Sequence, residues 1–296
     1  MKNVFCTIST LSHLYKCFAL AESINAFGGI LEVLLVDQRQ QKIEGPANIN
    51  FTFLENLTAS LEQSIINKYE HKPDCLRWSL KAPFILRLLE KEDKVIYVDN
   101  DILFFSDPSF LFEALDSYNV LLTPHYYPRN PESNQNWFEA NFRVGLYNAG
   151  FLAANKEAKE VLVWWAKACL YRCEKNYWRG LFDDQKYLDL VPIMERKTKV
   201  LDHLGCNVAA WNKDVCEVAF QDHHFTINQN TPLVFYHFNN YSLQNLKEED
   251  PLFKYYYETL KKYNSPLALK DLIPAKSCLD KVKLFIWTFL NTLNAR

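Results

Sequence analysis

Residues 94 to 112 read KVIYVDNDILFFSDPSFLF. The run Lys94–Val98 is short, apolar and rich in β-branched side chains, which predicts a buried strand closing on Asp99, Asn100 and Asp101. In extended backbone alternate side chains share a face, so both carboxylates can enter one pocket. Two clustered carboxylates repel each other, and a hard divalent cation relieves that repulsion. Mg²⁺ or Mn²⁺ held there would bridge diphosphate oxygens and act as a Lewis acid on a leaving group. A solvated turn with two incidental aspartates would look the same in isolation, so the surroundings carry the decision.

Upstream, residues 3 to 8 read as a first strand and Leu14–Phe27 as an amphipathic helix stopping at Gly28-Gly29. Leu31–Val36 and Asn50–Leu54 read as further strands, with helical patterning over Leu57–Tyr69 and Ser79–Leu89. Strands alternating with helices predict βαβ units and a mostly parallel sheet, so the fold class is α/β. Ligands of such sheets bind beyond the carboxyl ends of strands, which is where Asp99 and Asp101 fall. Downstream, Asn119–Thr123 reads as a strand and residues 124 to 146 as one long polar and aromatic loop. A loop of that length is commonly functional. Lys156–Cys173, Asp184–Leu190 and Asp250–Tyr263 read as helices, and Val200–Tyr241 as strands and turns. The simplest division is a catalytic unit over residues 1–245 and a helical extension over 246–296.

Composition narrows the chemistry. Apolar residues make up 49% of the 296 and charged residues 23%, which is ordinary globular composition. Lys and Arg number 33 against 35 Asp and Glu, a balance that gives no reason to expect a nucleic-acid partner. Only 7 glycines occur, and neither G-x-G-x-x-G nor G-x-x-x-x-G-K-[ST] is present, so bound phosphates need a metal rather than a glycine cradle. The 8 cysteines include no C-x-x-C pair, arguing against a zinc site or a compact disulfide framework. With no long apolar run at the N-terminus, the chain reads as cytoplasmic with reduced thiols. The apolar C-terminal run with Lys281, Lys283 and Arg296 at its ends is short for a bilayer span. It suits either peripheral contact with the inner face of a membrane through residues 281–296 or packing against the body.

The segment around Asp99 resembles the D-x-D stretch of GT-A fold glycosyltransferases, particularly those similar to glycosyltransferase family 8. Other segments follow in the order of that family: Trp78-Ser-Leu-Lys81-Ala-Pro-Phe84, Leu146-Tyr-Asn148-Ala-Gly150-Phe-Leu, Phe182-Asp183-Asp184-Gln185, Asn207-Val-Ala-Ala-Trp211-Asn212 and Val234-Phe-Tyr-His237-Phe. The resemblance spans roughly residues 3 to 240, and it implies a GT-A-like fold binding a nucleoside diphosphate sugar, UDP-sugar first among them. It places Asp99, Asp101 and His237 on the Mn²⁺ or Mg²⁺ ion. Asp99 and Asn100 would also touch the donor, together with Thr7 and Ile8 at the end of the first strand. Lys81 would lie near the diphosphate or sugar, with Asn148, Gly150, Asp183, Asp184 and Gln185 around the sugar and Asn207 and Trp211 behind them. Asn148, Asp184 and Gln185 would act at the reacting carbon, with retention of anomeric configuration. The acceptor would be a hydroxyl of a glycan, lipid-linked sugar or protein. One departure is visible: the family continues its histidine with glycine and Lys-Pro-Trp, whereas Phe238-Asn-Asn-Tyr241-Ser stands here.

Each residue also has a plainer reading. Lys81 could be a surface lysine, Gly150 a strand bulge, Asp184 a helix cap and His237 a packing histidine. Tyr126, Tyr127, Trp137 and Phe138 could stack on an acceptor sugar or merely anchor the loop. His71, Cys75, His223 and His224 lack partners at metal-ligand spacing and read as packing or surface residues. Rival functions are a haloacid-dehalogenase-like phosphatase, which also carries D-x-D after a strand, and a non-catalytic nucleotide-sugar-binding protein. A nucleotidyltransferase would need a glycine-rich N-terminal loop that CTISTLSHLYK lacks.

Overall fold

The computed structural model describes residues 3–263. Strands β1 (Asn3–Ser9), β2 (Gly29–Leu35), β3 (Ile49–Phe53), β4 (Lys94–Val98), β6 (Val120–Pro124), β7 (Tyr147–Asn155) and the short strand Thr198–Val200 form one seven-stranded sheet. A short strand β5 (Ile102–Phe104) lies outside it. From one edge the order is Thr198–Val200, β6, β7, β4, β1, β2, β3. Every pairing is parallel except those of β7, which runs antiparallel to both β4 and β6. The sheet is therefore mostly parallel, as the alternating pattern predicts.

Its inner strands are buried on both faces, and their side chains sort by parity. Phe5, Leu31, Val33, Ile96, Val98 and Phe151 join one apolar cluster, while Val4, Cys6, Leu34, Val95, Tyr97 and Leu152 join the other. Helix α1 (Leu14–Asn25) and the terminal helix Pro251–Lys261 cover the first face. Helices α2 (Ser60–Tyr69), α3 (Pro73–Ser79), α4 (Lys81–Leu89) and α7 (Lys159–Tyr171) cover the second. The short helix α5 (Ser109–Ala114) puts Leu111 and Phe112 into the first cluster.

Two elements depart from the sequence reading. Residues 124 to 146 are not one loop, because they contain helix α6 (Gln135–Arg143). Asn134 starts it by accepting a hydrogen bond from the Trp137 N–H, a cap that the polar composition conceals. Its apolar face, Trp137 and Ala140, continues to Val144 and packs with Tyr127, Ala209 and Trp211. The helix expected over Asp184–Leu190 is a 3₁₀ helix over Gln185–Leu190, followed by a single α-turn at Val191–Met194.

The extension begins as a continuation of the body. Tyr256 stacks face to face on Phe238 at 4.1 Å, and the Tyr263 hydroxyl and Lys262 ammonium both reach Glu22 of α1. The apolar run at residues 281–296 lies outside the described residues. Among the described residues no helix is long and apolar enough to cross a membrane. The seven cysteines described are all unpaired thiols.

Candidate active site

At the carboxyl end of β4 the backbone stays tied to β7: the Asp99 N–H donates to the Gly150 carbonyl at 2.9 Å. Beyond the Asp99–Asp101 turn the chain returns as β5, which pairs antiparallel with the strand Phe235–His237 and sets Ile102 opposite His237. The Phe238 N–H then donates to the Asp101 carbonyl at 2.8 Å. This register brings a histidine distant in sequence onto the carboxylates. His237 Nε2 lies 3.0 Å from Asp101 Oδ1 and 3.9 Å from Asp99 Oδ2.

One ligand atom each from Asp99, Asp101 and His237 falls within 4.8 Å of the others. Oxygen from carboxylates plus one imidazole suits a borderline divalent ion such as Mn²⁺. The surrounding space supports this. A Cβ on residue 150 would sit 2.7 Å from His237 Cε1, 2.8 Å from Asn148 Oδ1 and 3.0 Å from Asp99 Oδ2. The glycine is therefore required by the close approach of three side chains rather than by backbone conformation. Burial works to lower the His237 pKa, but the Asp101 carboxylate outweighs it and raises it. Burial conversely works to raise Asp101, and the His237 charge holds it below the ordinary carboxylate range. Each group thus favours the charged form of the other.

Lys81 is not a surface lysine. It is 3% exposed, with Nζ 3.1 Å from Asp99 Oδ1, 3.2 Å from Asp184 Oδ2 and 2.9 Å from the Ala149 carbonyl. Burial opposes its charge, yet Asp184 and Asp99 together raise its pKa, so it stays protonated. Asp99 Oδ1 also accepts from the Tyr97 hydroxyl at 2.8 Å. Asp184 makes no side-chain helix cap, contrary to the plainer reading of its position. Burial pushes its carboxyl up to about 6, with Lys81 opposing and Asp99 adding to the rise. Trp165 Nε1 fixes its backbone by donating to the Asp184 carbonyl at 2.9 Å. Asp183 stands in the left-handed region at φ 51°, tolerable for aspartate, and its carboxylate lies 3.4 Å from Lys175 Nζ.

These residues line one cleft of about 690 Å³, within the range of a small-molecule binding site. Of the residues expected from the sequence, the cleft gathers Ile8, Lys81, Asp99, Asn100, Asp101, Asn148, Gly150, Asp183, Asp184, Gln185, Trp211 and His237. Asn100 is anchored by donating to Ser9 Oγ at 2.9 Å. Asn148 Oδ1 accepts from the Gly150 N–H. The Gln185 amide accepts from the Ala149 N–H and donates to the Val144 carbonyl, both at 3.2 Å.

Two expected residues lie elsewhere. Thr7 is fully buried and does not line the cleft, because strand alternation turns it to the face opposite Ile8. Asn207, also fully buried and at φ 61°, braces the scaffold by donating to the Pro124 carbonyl at 2.9 Å. The aromatic residues of 126 to 138 divide as well. Tyr127 and Trp137 line the cleft, stacked at 5.2 Å, with Trp137 meeting Tyr241 edge-on. Tyr126 instead donates to the Leu201 carbonyl, and Phe138 pairs with Phe142. The plainer reading holds for His71, which is exposed beside Glu70, and for Cys75, whose thiol reaches the Cys173 carbonyl.

The residue reading missed Tyr97, His125, Lys16 and Arg77, which also line the cleft. His125 is buried against Tyr127 at 4.6 Å, and burial lowers its pKa to about 3, leaving it neutral. Alternation along β4 could have flagged Tyr97, which lies two residues before Asp99 on the same face. The other three carry no local signal.

No protein-family model matches the chain. It is similar to two proteins of Bacillus subtilis (strain 168). The uncharacterized protein YfnD is 29% identical over 257 residues, covering 82% of this chain and 79% of YfnD. The uncharacterized protein YfnF is 25% identical over 263 residues, covering 84% of each. Among solved structures, the galactosyltransferase LgtC in complex with donor and acceptor sugar analogues gives a TM-score of 0.53 at 14% identity, covering 88% of this chain and 95% of that one. The apo glycosyltransferase GlyE of Streptococcus pneumoniae gives 0.51 at 13%, covering 93% of this chain and 63% of GlyE. At such identities the likeness speaks for architecture alone. The chain is built on the fold of the GT-A glycosyltransferases, a mostly parallel sheet flanked by helices, matched along most of its length.

Proposed function

We propose that the chain is a divalent-metal-dependent glycosyltransferase that moves a sugar from a nucleoside diphosphate donor, UDP-sugar foremost, to an acceptor hydroxyl. The observation that carries this reading is the sharing of one cleft by the Asp99, Asp101 and His237 cluster and the recess bordered by Asn148, Lys81 and Asp184. Asp99, Asp101 and His237 would hold Mn²⁺ or Mg²⁺, and the ion when bound supplies Lewis-acid stabilisation to a diphosphate leaving group.

The chain's own groups do the remaining work. Lys81 holds Asp99 and Asp184 at fixed separation, so the metal edge and the sugar edge keep one geometry. Asp184, with its rigid backbone, accepts from sugar hydroxyls and places negative charge beside an oxocarbenium-like anomeric carbon. Asn148 orients the sugar from β7. The side chains around the recess are engaged: Asp184 by Lys81, and Gln185 by two backbone groups. Among the described residues the recess offers no uncommitted nucleophile, so direct attack by the acceptor hydroxyl is the fitting step, and retention, by front-face displacement, is what the resemblance to family 8 implies. Tyr127, Trp137 and Tyr241 form an aromatic wall suited to stacking an acceptor sugar of a glycan or a lipid-linked chain.

A panel of UDP- and GDP-sugars assayed for Mn²⁺-dependent hydrolysis tests this reading. At least one sugar nucleotide is expected to turn over, and Asp101→Ala should lower that rate by roughly a hundredfold or more. Hydrolysis that survives Asp101→Ala, or p-nitrophenyl phosphate turnover without any sugar-nucleotide turnover, rejects it.

A further inference from the structure

A nucleoside diphosphate brings more negative charge to the cleft than one divalent ion can neutralise, since Asp99 and Asp101 already balance that ion's charge. Lys81 is buried and committed to Asp99, Asp184 and the Ala149 carbonyl. Lys175 lies over the Trp78 and Phe182 rings and pairs with Asp183. The segment after His237 brings Asn239, Asn240 and Tyr241 to the cleft, and no cation. With His237 in the metal cluster and His125 neutral beside Tyr127, three basic residues remain on its lining: His13 just before α1, Lys16 on α1, and Arg77 on α3.

Burial and the neighbouring Lys16 and Arg77 charges lower the His13 pKa, so His13 is neutral at neutral pH. Lys16 and Arg77 are different. No carboxylate of the described residues lies within ion-pairing distance of Lys16, although its charge is felt by both Asp101 and His13. Among the described residues Arg77 pairs only with Asp74, an i,i+3 partner whose side chain is 60% exposed. Such a surface pair contributes little and is readily exchanged for an anion. Lys16 thus lies on the Asp101 side of the cleft with no carboxylate partner among the described residues, and Arg77 lines the same cleft near enough to His13 for its charge to be felt there.

We propose that Lys16 and Arg77 form the diphosphate-binding pair of this cleft, one ammonium and one guanidinium closing on the phosphate oxygens from α1 and α3. The proposal rests on the donor reading above. It assigns the diphosphate to the amino-terminal half of the chain, upstream of the metal strand.

The test uses the full chain with Mn²⁺, titrated with UDP and GDP and, separately, with uridine and guanosine. Lys16→Ala and Arg77→Ala are each expected to weaken the preferred nucleoside diphosphate about tenfold, and the double variant more, as loss of charge-assisted hydrogen bonds predicts. Nucleoside affinity should stay the same, which also verifies folding, and Lys16→Arg should recover most of the loss. An unchanged ratio of diphosphate to nucleoside affinity in the double variant overturns the pair. So does a parallel fall of both affinities, which would mark a structural effect. Wild-type protein that binds neither diphosphate removes the donor reading itself, whereas wild-type binding with an unaffected double variant removes only this proposal.

Discussion

A single methyl group at residue 150 would touch His237, Asn148 and Asp99 at once, the nearest at 2.7 Å. None of the three is the free end of a long flexible chain, and Asp99 is further held by Lys81 and Tyr97. Gly150→Ala should therefore weaken Mn²⁺ binding at least about tenfold, the scale on which misplaced ligand support acts in metal sites. Calorimetric Mn²⁺ titration measures this, and unchanged affinity would show that the triad does not converge as described. Asp99 and Asp101 were readable because the carboxylates follow a buried apolar strand and stand in order with the other segments of the resemblance, which a chance turn does not supply. His237 was readable only with the family resemblance, since its partners lie more than a hundred positions upstream. Thr7 lies off the cleft lining, which family position does not reveal because it gives a strand end without its parity. Lys16 and Arg77 were invisible because a charge on a helix shows nothing of which surface it faces until α1 and α3 are packed.

At the scale of elements, α6 is the piece that polar composition hid. Asn134 caps it, and its inward face is only Trp137, Ala140 and Val144, too few apolar residues to register as a period in a polar stretch. Folded, the element turns Trp137 against Tyr127 and Tyr241 at the cleft. Trp137→Ala is expected to raise acceptor KM severalfold to tenfold while leaving donor KM unchanged, consistent with about 0.5–1.5 kcal/mol for an aromatic contact beyond its area. Steady-state kinetics with each substrate varied in turn decides it; an unchanged acceptor KM assigns the tryptophan to packing. Strands β1, β2, β4 and β6, by contrast, announced themselves within two residues, because burial on both faces demands mostly apolar runs.

For the whole molecule, alternation of strands and helices disclosed the α/β sheet, but not that β7 runs against its neighbours. That reversal is a matter of chain path rather than of local pattern, and it is what lays Asn148 and Gly150 beside the end of β4. The extension reads differently once its first half is seen packed against α1 and Phe238. Any contact with a membrane, as against packing on the body, would then fall to residues 281–296, an apolar run with Lys281 and Lys283 at its start and Arg296 at its end. Flotation with liposomes containing anionic lipid should carry the full chain upward and leave behind a chain lacking residues 280–296; equal flotation of both removes the membrane role.

The Gln185 amide spans from the Val144 carbonyl, just past α6, to the Ala149 N–H on β7, and the Ala149 carbonyl in turn receives Lys81. The wall that would meet an acceptor and the recess that would meet a donor are thus leashed to each other by one uncharged side chain. An excursion of the wall would therefore act on the peptide that steadies the buried lysine, along a line of hydrogen bonds only a few residues long.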